Sequence, residues 1–252
     1  MIKCSDLSNY LHDFLNCALY SDYAPNGLQI EGKEQIQRVC TAVTASEDVI
    51  SQAIAWKADT LLVHHGYFWR GEEPSITGMK RQRISKLLKH NINLFAYHLP
   101  LDCHVELGNN ACIAKLLPIR SIKTYKVNKM ENLLWSGILT KPMQGMVFAE
   151  LLERALGQRP VHIAGNDKVI SSIAWCTGAA QDYIEEAWKL GVDAYLSGEV
   201  SERTYYQAKE LGIHYYSCGH HATERYGIQA LGEYLASYFK LEHLFLDSDN
   251  PV

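Results

Sequence analysis

Histidines, carboxylates or both mark four short segments of this 252-residue sequence: LLVHHG (61–66), HLPLDCH (98–104), YLSGE (195–199) and GHHATE (219–224). Neutral imidazoles with carboxylates and no thiolate make a borderline to hard ligand set, suited to zinc, manganese, iron, cobalt or nickel as divalent ions. His220 and Glu224 stand four apart at an expected helix start, so they share one face of its first turn, with His221 beside it. The same spacing also suits a plainer role, in which Glu224 steadies a helix N-terminus electrostatically. His64 and His65 meet a stereochemical obstacle, because successive side chains of a strand point to opposite faces. Either the chain turns at Gly66 and aims both inward, or each serves its own ion, two ions ~3.5–4 Å apart sharing a bridging carboxylate. The bland alternative packs one ring and leaves the other in solvent. Asp102 follows Leu99-Pro100, and a proline disfavours helical geometry in the residue before it, so a stiffened loop is expected there, flanked by His98 and His104.

The elements that must carry these residues alternate. Helical periodicity runs over 6–19, 47–57, 80–90, 109–117, 145–156, 181–190, 202–211 and 221–239, with short β-rich runs such as RVCTAVTA, DTLLVHHG, INLFAYHL, VISSIAWCTG, DAYLSGE and IHYYSCG between them. The expected fold class is α/β, with sheets at least partly parallel and ligands outside the carboxyl ends of the strands. Segments 39–66 and 174–199 repeat one pattern of strand, small residues, a helix carrying Ala-Trp-Lys, an aspartate and an apolar strand. Asp59 corresponds to Asp193 at an offset of 134 and Ile92 to Ile213 at 121, so the first half holds 13 extra residues (134 − 121) around GYFWRGEEPSITGMK. Two related α/β halves are therefore expected, 1–124 and 125–252, with the metal site between them at strand C-terminal ends. The alternative is chance likeness of two βαβ units. The polar, Lys-rich stretch 118–132 is expected to be the solvated loop that joins the halves.

Composition narrows the function classes. With Lys+Arg 24 against Asp+Glu 28 and a net charge of −4, no general field favours a polyanion. Seven cysteines, an odd number without a C-x-x-C pair, argue against a disulfide framework and a thiolate zinc site. No apolar run approaches the ~20 residues that cross a bilayer, and the N-terminus mixes charges among apolar residues, so a cytoplasmic protein is expected, with no membrane partner. His12, His90, His162 and His243 stand isolated and read as surface or core residues.

Four motifs in order, SDYAPNGLQIEG (21–32), LLVHHGYFW (61–69), HLPLDCHVELGNN (98–110) and GHHATERYGIQAL (219–231), resemble the YbgI-type, Nif-three-like family of dinuclear-metal proteins, whose members carry the label GTP cyclohydrolase I type 2 homolog. The resemblance covers essentially the whole chain. It implies metal ligands at His64, His65, Asp102, His220 and Glu224, with Glu224 bridging two divalent ions, His65 and Asp102 on one and His64 and His220 on the other. It further implies a toroidal homohexamer and no domain inserted between the halves. Two such ions suit hydrolytic chemistry on a nucleotide-like small molecule, with His98, His221 and Glu199 as candidate proton-moving residues. Tyr67, Phe68 and Trp69 are either core residues or a stacking surface for a base. The alternatives are a metal-carrying or interaction protein without turnover, and a DNA-associated ring. Only lysines 123, 126 and 129 and the MKRQR segment at 79–83 offer basic patches for the latter.

Overall fold

The computed structural model describes residues 1–252, which form two compact units, Met1–Leu101 with Gly227–Asp249, and Asp102–Tyr226 with Asn250–Val252. The first unit contains β1 (Ile2–Lys3), α1 (Cys4–Phe14), β2 (Gly27–Ile30), β3 (Gln35–Ile36), β4 (Arg38–Thr44), α2 (Glu47–Ala55), β5 (Thr60–His65), α3 (Gly78–Lys89), β6 (Asn93–Ala96) and the start of α4 (Leu99–Asp102). The second contains α5 (Asn109–Leu116), β7 (Ile119–Val127), β8 (Met130–Met143), α6 (Gly145–Leu156), β9 (Val161–Ile163), β10 (Ile170–Trp175), α7 (Ile184–Lys189), β11 (Ala194–Ser197), α8 (Glu202–Leu211) and β12 (His214–Ser217). Helix α9 (His220–Phe239) begins in the second unit, and its later part belongs to the first, as does β13 (Glu242–Phe245).

The fold is mixed α/β. In the first unit the five-stranded sheet has the order β13-β4-β5-β6-β2, parallel except for β2. In the second, a six-stranded sheet has the order β7-β8-β10-β11-β12-β9, with β10, β11 and β12 parallel and antiparallel partners on both sides. The central parallel strands carry apolar runs, as burial on both faces requires: Leu61, Leu62 and Val63 of β5, and Ala194, Tyr195 and Leu196 of β11, are all buried. Helix α2 starts where the Ser46 hydroxyl accepts the Val49 N–H at 3.3 Å, and the acids Glu47 and Asp48 follow at the positive end of its dipole. Its Val49, Ile50 and Ala53 face the core that also holds Leu61, Val63 and Leu94.

Two aspartates hold equivalent places in the two units. Asp59 accepts the N–H groups of Gln37 and Arg38 at the start of β4, and Asp193 accepts those of Ser171 and Ser172 at the start of β10, each at 2.9 Å. In both units the next strand donates back to the aspartate's carbonyl, Asn93 N–H to Asp59 and His214 N–H to Asp193, each at 3.0 Å. Ile92 and Ile213 likewise each close the preceding helix by bonding the carbonyl five residues earlier.

Two expectations about local structure need correction, at segment 118–132 and at Asp102. Segment 118–132 is not a loop: β7 and β8 pair across it, Val127 opposite Met130, and Asn128 and Lys129 both take positive φ, 49° and 69°. That is the left-handed pair a two-residue hairpin turn demands. The basic side chains lie on an exposed edge strand, where charge discourages further pairing. The boundary expected at 124 accordingly falls inside β7, and the compact units change over at Asp102 and Gly227 instead. Asp102 is also not on a loop, since Leu99–Asp102 forms the short helix α4. Pro100 sits in its first turn, where a missing N–H costs nothing because that group has no partner within a helix anyway.

Candidate metal centre

In the first unit, chemistry collects at the carboxyl ends of β4, β5 and β6. His64 is fully buried and His65 half-buried at the end of β5, and their ring centroids are 4.6 Å apart. Strand alternation therefore does not send them to separate regions. With His98, just beyond β6, they bring one ligating atom each within 4.8 Å of the others. His64 Nδ1–H donates to the Tyr97 carbonyl at 2.9 Å, which assigns the lone pair of the neutral ring to Nε2. His65 Nδ1 meets the Thr44 hydroxyl at 3.2 Å, and His98 Nδ1 meets Asp22 Oδ1 at 2.8 Å. Gly66 lets the chain leave this strand: a Cβ there would strike Ala96 and the Gln29 side chain, whose amide holds both the N–H and the carbonyl of Tyr67.

Asp22 belongs to this set and is absent from the residues singled out by sequence. Its carboxylate accepts from His98, Asn26 Nδ2 and the Leu99 N–H, at 2.8–2.9 Å. Burial alone would raise it, but His98 and these donors outweigh burial and hold it down at about 2. Asn26 completes the clasp by accepting the His98 N–H at 2.7 Å. The readable signal was the SDYAPNG loop, an Asp and an Asn four apart around a proline. Nothing in its local pattern tied it to a histidine 76 residues away.

In the second unit Glu199 follows β11, Glu224 lies in α9 just after β12, and Asp102 at the end of α4 is bonded by Thr177 beyond β10. Asp102 is buried and its Oδ1 accepts from Asn109 Nδ2 at 2.7 Å and the Thr177 hydroxyl at 3.3 Å. Glu224, also buried, has Oε2 at 3.0 Å from His220 Nε2. His220 Nδ1 donates to Glu199 Oε1 at 2.7 Å. Burial would lower this ring, but bonds and charge from Glu224 and Glu199 prevail and push it up to about 9. Gly178, at φ +69°, has no room for a Cβ because the Glu224 carboxylate occupies that space. Burial first, and then the charges of Asp102 and Glu224, raise the Cys176 thiol well above its ordinary value. Buried carboxylates are costly without compensating positive charge.

Of the candidate proton movers, His98 lies against Asp22, His64 and His65, with ring centroids 5.1 Å from His64 and 5.8 Å from His65. Glu199 is bound to His220 and so orients it. His221 is buried in the first turn of α9, its backbone N–H donating to the Val252 carbonyl at 2.9 Å. His104 is structural, its Nδ1 accepting the N–H groups of Glu106 and Leu107. Among the aromatics, Tyr67 is core, its hydroxyl bonded to the Ala45 carbonyl, whereas Phe68 is exposed and Trp69 packs edge-on to His98 at 5.0 Å. His162, expected alone, pairs with His214 at 3.1 Å and stacks on Tyr216.

The donor chemistry fits divalent metal. His64 and His220 turn Nδ1–H toward an oxygen acceptor, and His65 Nδ1 also meets an oxygen, the arrangement that presents Nε2 to an ion.

The profile of Duf34/NIF3 (NGG1p interacting factor 3) matches residues 2–251. The chain belongs to this family. A Yersinia pestis relative described as a GTP cyclohydrolase 1 type 2 homolog is 49% identical over 248 residues, 98% of each chain. A solved structure described as protein ybgI, of unknown function, is 47% identical over the whole of both chains with a TM-score of 0.95. A Thermus thermophilus protein of this fold is 29% identical, again over both whole chains, with a TM-score of 0.90. In this DUF34/NIF3 chain the buried His, Asp and Glu groups are ones that could hold a metal ion, and no helix is long and apolar enough to cross a membrane.

Proposed function

We propose that this DUF34/NIF3 chain is a dinuclear-metal hydrolase of a nucleotide-like heterocycle, with His64, His65, Asp102, His220 and Glu224 as ligands and Glu224 bridging. The observation that carries this reading is the oxygen partner found at Nδ1 of each of its three histidines, Tyr97, Thr44 and Glu199. An Nδ1 engaged in this way leaves Nε2 as the ring atom that would face an ion. Two divalent ions, when bound, would polarise a water and lower its pKa toward neutrality.

The protein's own side chains then have distinct tasks. Asp22 holds His98 by Nδ1 and leaves Nε2 to exchange a proton with a substrate atom, a general acid–base arrangement. Glu199 fixes the orientation of His220 and strengthens it as a donor. Asn109 and Thr177 restrain Asp102 through Oδ1. Trp69 walls one side of His98.

The test is formate release from GTP by metal-loaded protein, alongside elemental analysis. About two ions per chain and turnover lost in Asp102→Asn are expected. Full occupancy with no reaction over a nucleotide panel would instead favour a metal carrier, and near-zero metal after supplementation would remove the reading. Hexameric assembly and residence in the cytoplasm form part of the same proposal, the first checked by sedimentation and the second by cell fractionation.

A further inference from the structure

The first turn of α9 carries His220 and Glu224, and its shape decides whether the two side chains converge. A helix leaves its first N–H groups without partners inside the helix, and such a turn frays unless something outside takes them. Here the His221 N–H is taken by the main chain of a segment remote in sequence, donating to the Val252 backbone oxygen at 2.9 Å.

Residues 250–252 belong to the second unit, whereas the chain just before them, Gly227–Asp249, belongs to the first. They are exposed and form neither helix nor strand, so individual bonds set their place. The Val252 N–H donates to Asn250 Oδ1 at 3.0 Å, which folds the segment on itself. Gln158 Nε2 donates to the Pro251 carbonyl at 2.6 Å. Gln158 is seated in turn on Gly219, the residue before α9, whose φ of +91° and missing Cβ leave room for the amide: a Cβ there would lie 2.4 Å from Gln158 Oε1. Buried Thr223 holds the same turn from the interior, its hydroxyl accepting the Gly178 N–H at 3.1 Å and lying 2.9 Å from the Gly219 carbonyl. The turn is thus gripped by Thr223 within the fold and by 250–252 at the surface.

We propose that residues 250–252 are a strap that keeps the first turn of α9 in its metal-binding shape, with Val252 holding His221 and Gln158 positioning Pro251. Neither the strap nor Gln158 touches an ion in this scheme; both act through His220 and Glu224. Ligand atoms must lie within a few tenths of an ångström of their bonding distance, so a turn that frays weakens both donors together. The inference rests on the reading of His220 and Glu224 as ligands.

The test compares wild type with a variant ending at Asp249 and with Gln158→Met, which keeps the side chain's length but removes its donor. Three readouts are taken: cobalt(II) affinity by chelator competition, the visible d–d bands of the cobalt-loaded protein, and hydrogen exchange at amides 221–223 without metal. Expected in the shortened chain are affinity lower by about 3–10-fold, altered d–d bands and faster exchange at His221, with a urea midpoint close to wild type. Gln158→Met should shift the same readouts in the same direction by less. Wild-type affinity and bands in the shortened chain would overturn the proposal, as would losses that appear only with a matching fall in urea midpoint. Failure of the ligand reading looks different, since the wild type itself then binds no cobalt. Exchange at His221 still decides in that case whether the strap holds the turn, and an unaltered rate would remove the strap as well.

Discussion

The two units share a plan and differ in charge. Each sets three adjacent parallel strands, β4-β5-β6 or β10-β11-β12, with two crossover helices, an aspartate clamping the first strand's start, and polar side chains at the carboxyl ends. The first unit ends its strands in imidazoles, His64, His65 and His98, backed by Asp22. The second gathers carboxylates there, Asp102 from α4, Glu199 after β11 and Glu224 from α9, with His220 held between two of these. Imidazole supplies lone pairs without charge, whereas buried carboxylate demands a cation. The same strand-end position thus carries two complementary kinds of donor, which teaches that the place in the sheet does not by itself dictate the residue type.

The sharpest way to break that contrast is to remove the demand for charge. If Glu224 bridges two ions as proposed, Glu224→Ala should drop metal content to one ion per chain or fewer, the largest effect of any single change. His98→Ala should leave metal content higher than Glu224→Ala does. Elemental analysis of the two variants decides this, and equal losses would erase the distinction between the units. Next, Glu199→Gln keeps the shape of the His220 partner but removes its charge, and metal affinity should fall by ~10–100-fold in a chelator competition. An unchanged affinity would reduce Glu199 to packing.

Backbone changes probe the same contrast more gently. Gly178→Ala combines a strained positive φ with overlap of the Glu224 carboxylate, and should cost about 1–3 kcal/mol in urea unfolding. Gly66→Ala should cost a similar amount through Gln29 and Ala96, without a positive φ to add to it.

The smallest effect concerns a histidine pair outside both donor sets. Burial, then His214 and Lys209, lower His162 from its ordinary 6.5 to about 4. The folded value lies below the unfolded one, so the unfolded chain takes the proton first. Stability from this group is complete above about pH 6.5 and is lost progressively as pH falls toward 4. His162→Gln should therefore flatten the fall in urea midpoint between about pH 7 and about pH 5. An unaltered slope would show that the pair does not titrate in folding.

Much of the scaffold was legible because its signals are local. The strand that ends at His65 shows as an apolar run, helix α2 as a Ser46 cap with an amphipathic face, and the repeat as the Asp59 and Asp193 correspondence, since each position answers to its own neighbours in the chain. The hairpin at Asn128-Lys129 was hidden by its lysines, because an exposed edge strand and a solvated loop have the same composition. Helix α4 was hidden by Pro100, whose penalty in a helix interior vanishes in a first turn.

The sequence by itself determined the α/β alternation, the family and the residue types able to bind a metal, because periodicity, motif order and ligand chemistry are properties of the chain. Only the tertiary structure decided which partners fix those side chains. Asp22 reaches His98 across 76 residues and Thr177 reaches Asp102 across 75, and Glu199 meets His220 from the neighbouring strand end. Hydrogen bonds of that kind depend on which strands lie side by side, and adjacency in a sheet is set by packing the whole unit, not by any local stretch of sequence.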